Sequence, residues 1–511
     1  MSLINPKINA SIIPLYQKTE VDEQKILFVG QMTASGTATA GELNTSINNE
    51  NGQDTLFGAT SMLATMIRAA KKLNKVSRMD AIALDDEGAS VASTGTVVFT
   101  GPASAAGSIT VSVGSSINNS YELDLVSTDT ETVIGDALVA AITADTKAVV
   151  TAVNAAGTVT LTAVNKGLEG DSIGIKISGS VAGVGASATA MGSGATNPTL
   201  TNVFDVVKDI RYETIIWPAS YTLSIVQTFL DNRYNSPIRV LDGVAIQSAT
   251  DTLANLKLLP NNSKSVTIHG NQLVDTTVHR GGAILELDYV IASQIGAIRA
   301  LRLTDGSQIS DFVDVGIGAK DAFGGIHTAS LPYFNTPFTN LPVIANVDEW
   351  TDSERDELNA AGLFILGNNI AKNLIISDRI YSNYLTNPAG DPDITFKFLN
   401  YIDTFSVIRW YFHQNLEIRF RQSRLTTGNK IPGYNIASEG VIQTAVMEYY
   451  KDLTDLALIV QSEDTRKAFL NNLNISIDLK DSKAIINMVV EPVTQLSEID
   501  MTIQISFSTT S

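Results

Sequence analysis

Four histidines are the first residues to weigh for chemistry. His269 and His279 stand ten apart with no second ligand pair at zinc spacing, so no metal site is expected. No G-x-x-x-x-G-K-[ST] loop is present to cradle a nucleotide phosphate. Gly183-Val184-Gly185 and Gly316-Ile317-Gly318 lack the third glycine of a dinucleotide fingerprint and read as turns. The G-x-S-x-G match at Gly170-Asp171-Ser172-Ile173-Gly174 runs into an alternating strand rather than from a strand into a helix, so no nucleophile elbow is expected. Asp85-Asp86-Glu87 reads as a solvated turn. No catalytic residue and no cofactor is expected.

One patch departs from an otherwise acidic chain: Arg409, Arg419, Arg421, Arg424 and Lys430. Cations near the end of a helix complement its dipole. The same cluster also suits electrostatic contact with an acidic partner. A nucleic-acid partner is not expected, because the net charge is −18 and polyphosphate binding needs clustered cations.

The elements that would hold these residues belong to a globular chain of 511 residues, long enough for two to four domains. Hydrophobic residues make up 44% and charged ones 17%, which excludes a disordered chain. With no cysteine there is neither a disulfide nor a thiolate metal site. No signal peptide and no run of about 18 apolar residues is visible, so the expectation is a protein made and folded in cytosol, with no membrane insertion.

Along the chain the pattern changes more than once. Residues 1–20 read as an extended arm, and 21–90 as the first part of a core, with a strand at Lys25–Gly30 and a helix at Ser61–Leu73. Residues 91–198 form an inserted β-rich outer domain. Short alternating runs such as Thr158-Val159-Thr160-Leu161-Thr162 recur there, with one helix near Thr132–Ala144 and a Gly/Ala/Ser linker at Gly179–Pro198.

From 199 to 370 helices and apolar strands alternate. Strands are expected at Glu213–Pro218, Ile238–Leu241 and Ser265–Ile268, with helices at Tyr221–Tyr234 and Thr250–Leu259. That is an α/β middle domain with a mostly parallel sheet. Residues 371–494 form a C-terminal domain with helices near 395–425, 438–461 and 463–473 and closing strands at Ile475–Leu479 and Ala484–Val490. Residues 495–511 form a second arm.

Both arms alternate apolar and polar residues: Ile8, Ala10 and Ile12 at one end; Ile499, Met501, Ile503, Ile505 and Phe507 at the other. Each has one fatty face that needs a sheet to join. That sheet belongs either to the same chain or to a neighbouring copy.

Three passages resemble the contractile tail sheath proteins of myovirus-type bacteriophages, most closely the Mu-like branch. The insertion runs from Gly95-Thr96-Val97 through Gly157–Ala163 to Asn165-Lys166-Gly167-Leu168-Glu169-Gly170-Asp171. It is followed by Gly194-Ala195-Thr196-Asn197-Pro198 and a segment ending Phe229-Leu230-Asp231-Asn232-Arg233-Tyr234. The third passage is Phe398-Leu399-Asn400-Tyr401-Ile402-Asp403-Thr404 with the closing strands.

The resemblance implies an α/β (α+β) multidomain structural protein, with a middle domain subtilisin-like in fold only and no enzyme activity. It implies hexameric rings stacked helically around a tail tube, assembled in the bacterial host cytoplasm as part of the virion tail. Contraction of a metastable sheath would then drive the tube through the host envelope. The implied partners are neighbouring sheath subunits, the tail tube protein, and baseplate and tail terminator proteins. The eight arm residues named above would add strands to neighbours' sheets, by β-augmentation. The basic cluster would face the tube. Two other readings are a capsid-decorating or adhesin-like surface protein, and a hydrolase in which a histidine meets a serine and a carboxylate in a pocket.

Overall fold

The structure, a computed structural model, describes residues 24–47, 49–236, 240–276, 279–303, 333–338, 340–428 and 435–494. In β1 (Lys25–Gln31) the residues Ile26, Leu27, Phe28 and Val29 have no exposed surface, as in a strand covered on both faces. α1 (Met62–Leu73) begins where the Ser61 hydroxyl accepts from the Ala64 amide at 3.1 Å, and it ends on Lys71 and Lys72, where the dipole favours cations. The face it buries includes Met62, Met66 and Ala69, as its spacing predicts. β2 (Arg78–Leu84) runs parallel to β1 over its full length.

The chain then enters the inserted module: β3 (Thr94–Thr100), β4 (Gly107–Val113), β5 (Ser115–Leu125), α2 (Glu131–Ala144), β6 (Val150–Ala155), β7 (Thr158–Ala163), β8 (Ile175–Ser178) and β9 (Gly185–Gly192). One antiparallel sheet has the order β9-β3-β7-β6. Its inner face is supplied by alternate residues such as Val97, Phe99, Val159 and Leu161, and Ile134, Leu138 and Ile142 of α2 are buried in the same core. Ala156 and Gly157 both take positive φ (51° and 83°), the hairpin geometry that joins β6 to β7 with the natural twist. A side chain at Gly157 would crowd the Phe99 carbonyl oxygen at 2.9 Å.

The stretch expected to be a Gly/Ala/Ser linker instead contains β9, paired with β3 from Gly185↔Thr100 to Gly192↔Thr94. Its side chains are too small to show a hydrophobic stripe, and backbone pairing carries the strand.

The body resumes with β10 (Thr214–Ile216), α3 (Leu223–Tyr234), β11 (Val244–Asp251), β12 (Val266–Thr276), β13 (His279–Gly282), α4 (Asp288–Leu303), α5 (Asp352–Ala360) and β14 (Leu363–Phe364). The strands β2-β1-β10-β11-β12-β14 lie in that order and are all parallel, which is the sheet the βαβ alternation predicts. Further along, β12 pairs antiparallel with β13, and β13 with β8 of the module. The body and module therefore share one mixed sheet.

Two expected elements differ. The helix predicted over Thr250–Leu259 is a single turn at Leu253–Leu256, because β11 extends to Asp251. Val240 and Leu241, expected in a strand, precede β11, which starts at Val244; Ile238 and Arg239 lie outside the described residues. The sequence reading also missed α4, which is buried along most of its length. Gly296 lets α4 approach the sheet, since a Cβ there would overlap the Ile216 side chain. α5 opens with a capping box between Thr351 and Glu354.

α6 (Leu399–Phe420) crosses from one hydrophobic core to another. Leu399 is buried in the body core, while Ile408 and Phe412 join a second core with Ile442, Val446, Leu453 and Phe469. That second core is completed by α7 (Glu439–Asp455), α8 (Glu463–Asn472) and the hairpin β15 (Asn474–Asp478) with β16 (Lys483–Asn487). These elements fall close to where the sequence predicts them.

Candidate assembly surfaces and buried polar networks

The C-terminal hairpin is the clearest candidate surface. β15 and β16 pair only with each other among the described residues, from Asn474↔Asn487 to Asp478↔Lys483. Ile475 is buried and Ala484 and Ile486 pack partly against the second core, so one face is covered while both outer edges stay open. A two-stranded sheet is marginal by itself and its edges invite further strands. The eight arm residues, Ile8, Ala10, Ile12, Ile499, Met501, Ile503, Ile505 and Phe507, lie outside the described residues, as does Lys430.

The remaining basic residues divide along α6. The Arg409 guanidinium donates to Asp242 Oδ1 at 3.0 Å and to the Tyr234 carbonyl at 2.7 Å, and sits 4.5 Å from the centre of the Tyr234 ring. Burial pushes the Asp242 carboxyl up, and Arg409 opposes this. Arg419 pairs with Glu448 of α7 at 2.6 Å. Arg421 and Arg424 are exposed and form no ion pair among the described residues. Twelve helical residues, about 18 Å, separate Arg409 from Arg421. Arg409 therefore faces the body, while the last two arginines face solvent.

A buried salt bridge that sequence reasoning missed sits six residues before Arg409 on the same helix. Arg299 of α4 donates to Asp403 Oδ1 at 2.6 Å, to Thr214 Oγ1 at 2.7 Å and to the Glu213 carbonyl. The Tyr333 hydroxyl donates to Asp403 Oδ2 at 2.6 Å. Burial pushes the Asp403 carboxyl up and Arg299 pulls it back. The one available signal was that Asp403 falls inside the run Phe398–Thr404.

A serine, a histidine and a carboxylate do meet. Ser248 Oγ lies 2.9 Å from His269 Nδ1 and donates to Asp288 Oδ1 at 3.2 Å. Two features set this apart from a hydrolase centre. The serine lies between the other two groups, where a triad places the histidine, and all three residues are buried, His269 at 1% exposure. Burial lowers the His269 pKa to about 3, which leaves the ring neutral and a poor proton acceptor. The arrangement ties β11, β12 and α4 together. Among the described residues no group of three or more His, Cys, Asp and Glu could hold a metal ion.

Asp85-Asp86-Glu87 is more than a solvated turn. Asp86 Oδ1 accepts from Gln31 Nε2 at 2.6 Å and Asp86 Oδ2 from the Lys166 amide at 3.2 Å, while Glu87 accepts from the Thr199 hydroxyl at 2.7 Å. Asn165 adds two bonds, accepting from the Met62 amide at 2.8 Å and donating to the Met32 carbonyl at 3.0 Å. The module is thus fastened to the body by partly buried polar bonds as well as by the shared sheet.

These features define a mixed α/β multidomain protein with several sheets, whose polar side chains join its parts and whose C-terminal hairpin pairs with no other strand among the described residues. Over 448 residues the chain is 25% identical to the Mu-like prophage FluMu tail sheath protein of Haemophilus influenzae, covering 86% of this chain and 84% of that one. The resemblance to Mu-like tail sheaths read from the sequence therefore extends along most of a curated relative. Among solved structures, the sheath tail proteins of Desulfitobacterium hafniense and Listeria innocua each match at 14% identity with TM-score 0.48. They cover 98% and 93% of this chain, and 100% and 93% of their own. No family model matches the chain.

Proposed function

We propose that this chain is the structural subunit of a contractile phage tail sheath. It polymerises as helically stacked hexameric rings around a tail tube and shortens to drive that tube through a host envelope. The observation that carries this reading is the similarity to a tail sheath protein along 84% of that relative's length. The open-edged hairpin β15–β16 supports the linking mechanism. Residues 1–20 and 495–511 of neighbouring copies add strands to it, with backbone hydrogen bonds supplying the link and alternating apolar residues the register.

A head-to-tail contact whose rotation does not close builds an open helix, as a sheath requires. Contraction consumes no nucleotide on this account. Subunits move as rigid bodies from a kinetically trapped packing to a lower one while the paired arms hinge. The partners are other sheath subunits, the tube, and baseplate and terminator proteins. Arg421 and Arg424, exposed at the end of α6, are the proposed tube contact. Electron microscopy of the purified chain tests the reading. Striated hollow tubes are expected, and only monomers or discrete closed oligomers under all salt conditions would contradict it.

A further inference from the structure

The seam between module and body encloses acids contributed from both sides. Glu169, on the module turn Leu168–Ser172, accepts from the Ser220 amide at 3.0 Å through Oε2, while its buried Oε1 has no hydrogen-bond partner. It borders a cavity of about 20 Å³ with Asn165 of the module and Met62 and Tyr289 of the body, room for about one water. Glu286, just before α4, accepts from the Ser115 hydroxyl of β5 at 2.7 Å. Asp288, in the first turn of α4, lies on the body side, accepting from the Thr250 amide at 3.0 Å, the Thr250 hydroxyl at 2.8 Å and the Ser248 hydroxyl, all of β11, and it feels the charge of Glu169.

The charged and titratable neighbours are few. Tyr221 and Tyr289 face Glu169, Asp86 stands behind Tyr221, and the neutral His269 stands behind Ser248. On the cationic side, Lys72 of α1 acts on Glu286 and donates to Asn118 of β5 at 2.9 Å. Lys147 of the module acts on Lys72, and Arg68 is already paired with Asp54 at 2.7 Å. The Lys72 amine thus acts on Glu286, while no cation acts on Glu169 or Asp288 among the described residues.

We propose that this seam is a pH-gated joint. With its acids protonated the module is locked on the body, and their ionisation loosens it. An ionised carboxylate loses its hydration when buried, and among the described residues Lys72 offsets this in part at Glu286 alone. Burial pushes Glu286 and Asp288 each up to about 7, and Glu169 upward as well. The N-terminus of α4 favours the anion at Asp288, and burial outweighs it. Because these folded pKa values are raised, the added tightness is complete below the ordinary carboxyl range and is lost as pH rises through about 7.

Hydrogen exchange of the full chain between pH 5 and 8, with protection factors corrected for intrinsic exchange, tests the joint. Amides of 165–173 and 115–119 are expected to lose protection by about tenfold per pH unit for each proton released near neutrality, while amides of β15–β16 hold theirs. Glu286→Gln and Glu169→Gln should each flatten the profile. A flat profile in the unaltered chain would overturn the proposal without any variant, and so would variants that fold yet keep the original slope.

Discussion

Arg299 and Asp403 meet at 2.6 Å with 3% and 0% of their side chains exposed, and this pair fixes the long helix α6 to the α/β body. Seven residues before Arg409, which reaches Asp242, Ile402 packs against the body core. Beyond Ile408 the same helix belongs to the second core. α6 is thus a strut shared by two packed bodies, clamped at one end by buried charge.

Cutting the clamp on one side should be costly. Asp403→Ala leaves the Arg299 guanidinium buried without its counter-charge and the Tyr333 hydroxyl without its acceptor. The expected loss is about 3–5 kcal/mol, measured by denaturant unfolding. Replacing both partners by apolar residues, as in Arg299→Met with Asp403→Leu, should recover most of it.

Gly296 sets the spacing of α4 from the sheet. Alanine is the better helix former by about 1 kcal/mol, yet its methyl would overlap Ile216. Gly296→Ala is therefore expected to destabilise by about 1–3 kcal/mol despite its helix propensity, seen as a lowered Tm.

His269 gives the chain an acid limit. Its folded pKa of about 3 lies below the ordinary 6.5, so the stability it contributes is whole above 6.5 and drains away as pH falls towards 3. Comparison with His269→Gln isolates this from the seam carboxyl groups, which act in the opposite direction. The difference in unfolding free energy between the two chains should change by about 1.4 kcal/mol per pH unit in that window.

Arg421 and Arg424 carry the proposed tube contact. Reversing both to Glu should leave the unfolding midpoint within about 0.5 kcal/mol of the parent, since neither is paired in the described structure. It should also abolish decoration of purified tubes in a co-sedimentation assay. Unchanged decoration would remove these residues from the interface.

Much of the architecture was legible. Alternation in β3 and β7, the apolar run of β1 and the helical spacing after Ser61 are local signals, and the structure keeps them. α4 escaped because Ser293, Gln294 and Arg299 interrupt any stripe while being buried themselves. β9 escaped because Ala186, Ala188 and Thr189 carry little side-chain pattern. The partners of Asp403 are 70 and 104 residues away in sequence and those of Ser248 21 and 40, so no spacing rule could propose them.

The central claim is that chain ends cross between copies. Because the chain has no cysteine, a single engineered pair reports cleanly. Ile485 lies on β16 with 41% of its surface exposed, and Ile503 lies in the second arm. The double variant Ile485→Cys with Ile503→Cys, assembled into tubes and oxidised, is expected to give a ladder of covalent multimers on a non-reducing gel. Intact tubes that yield only internally bridged single chains would contradict the account.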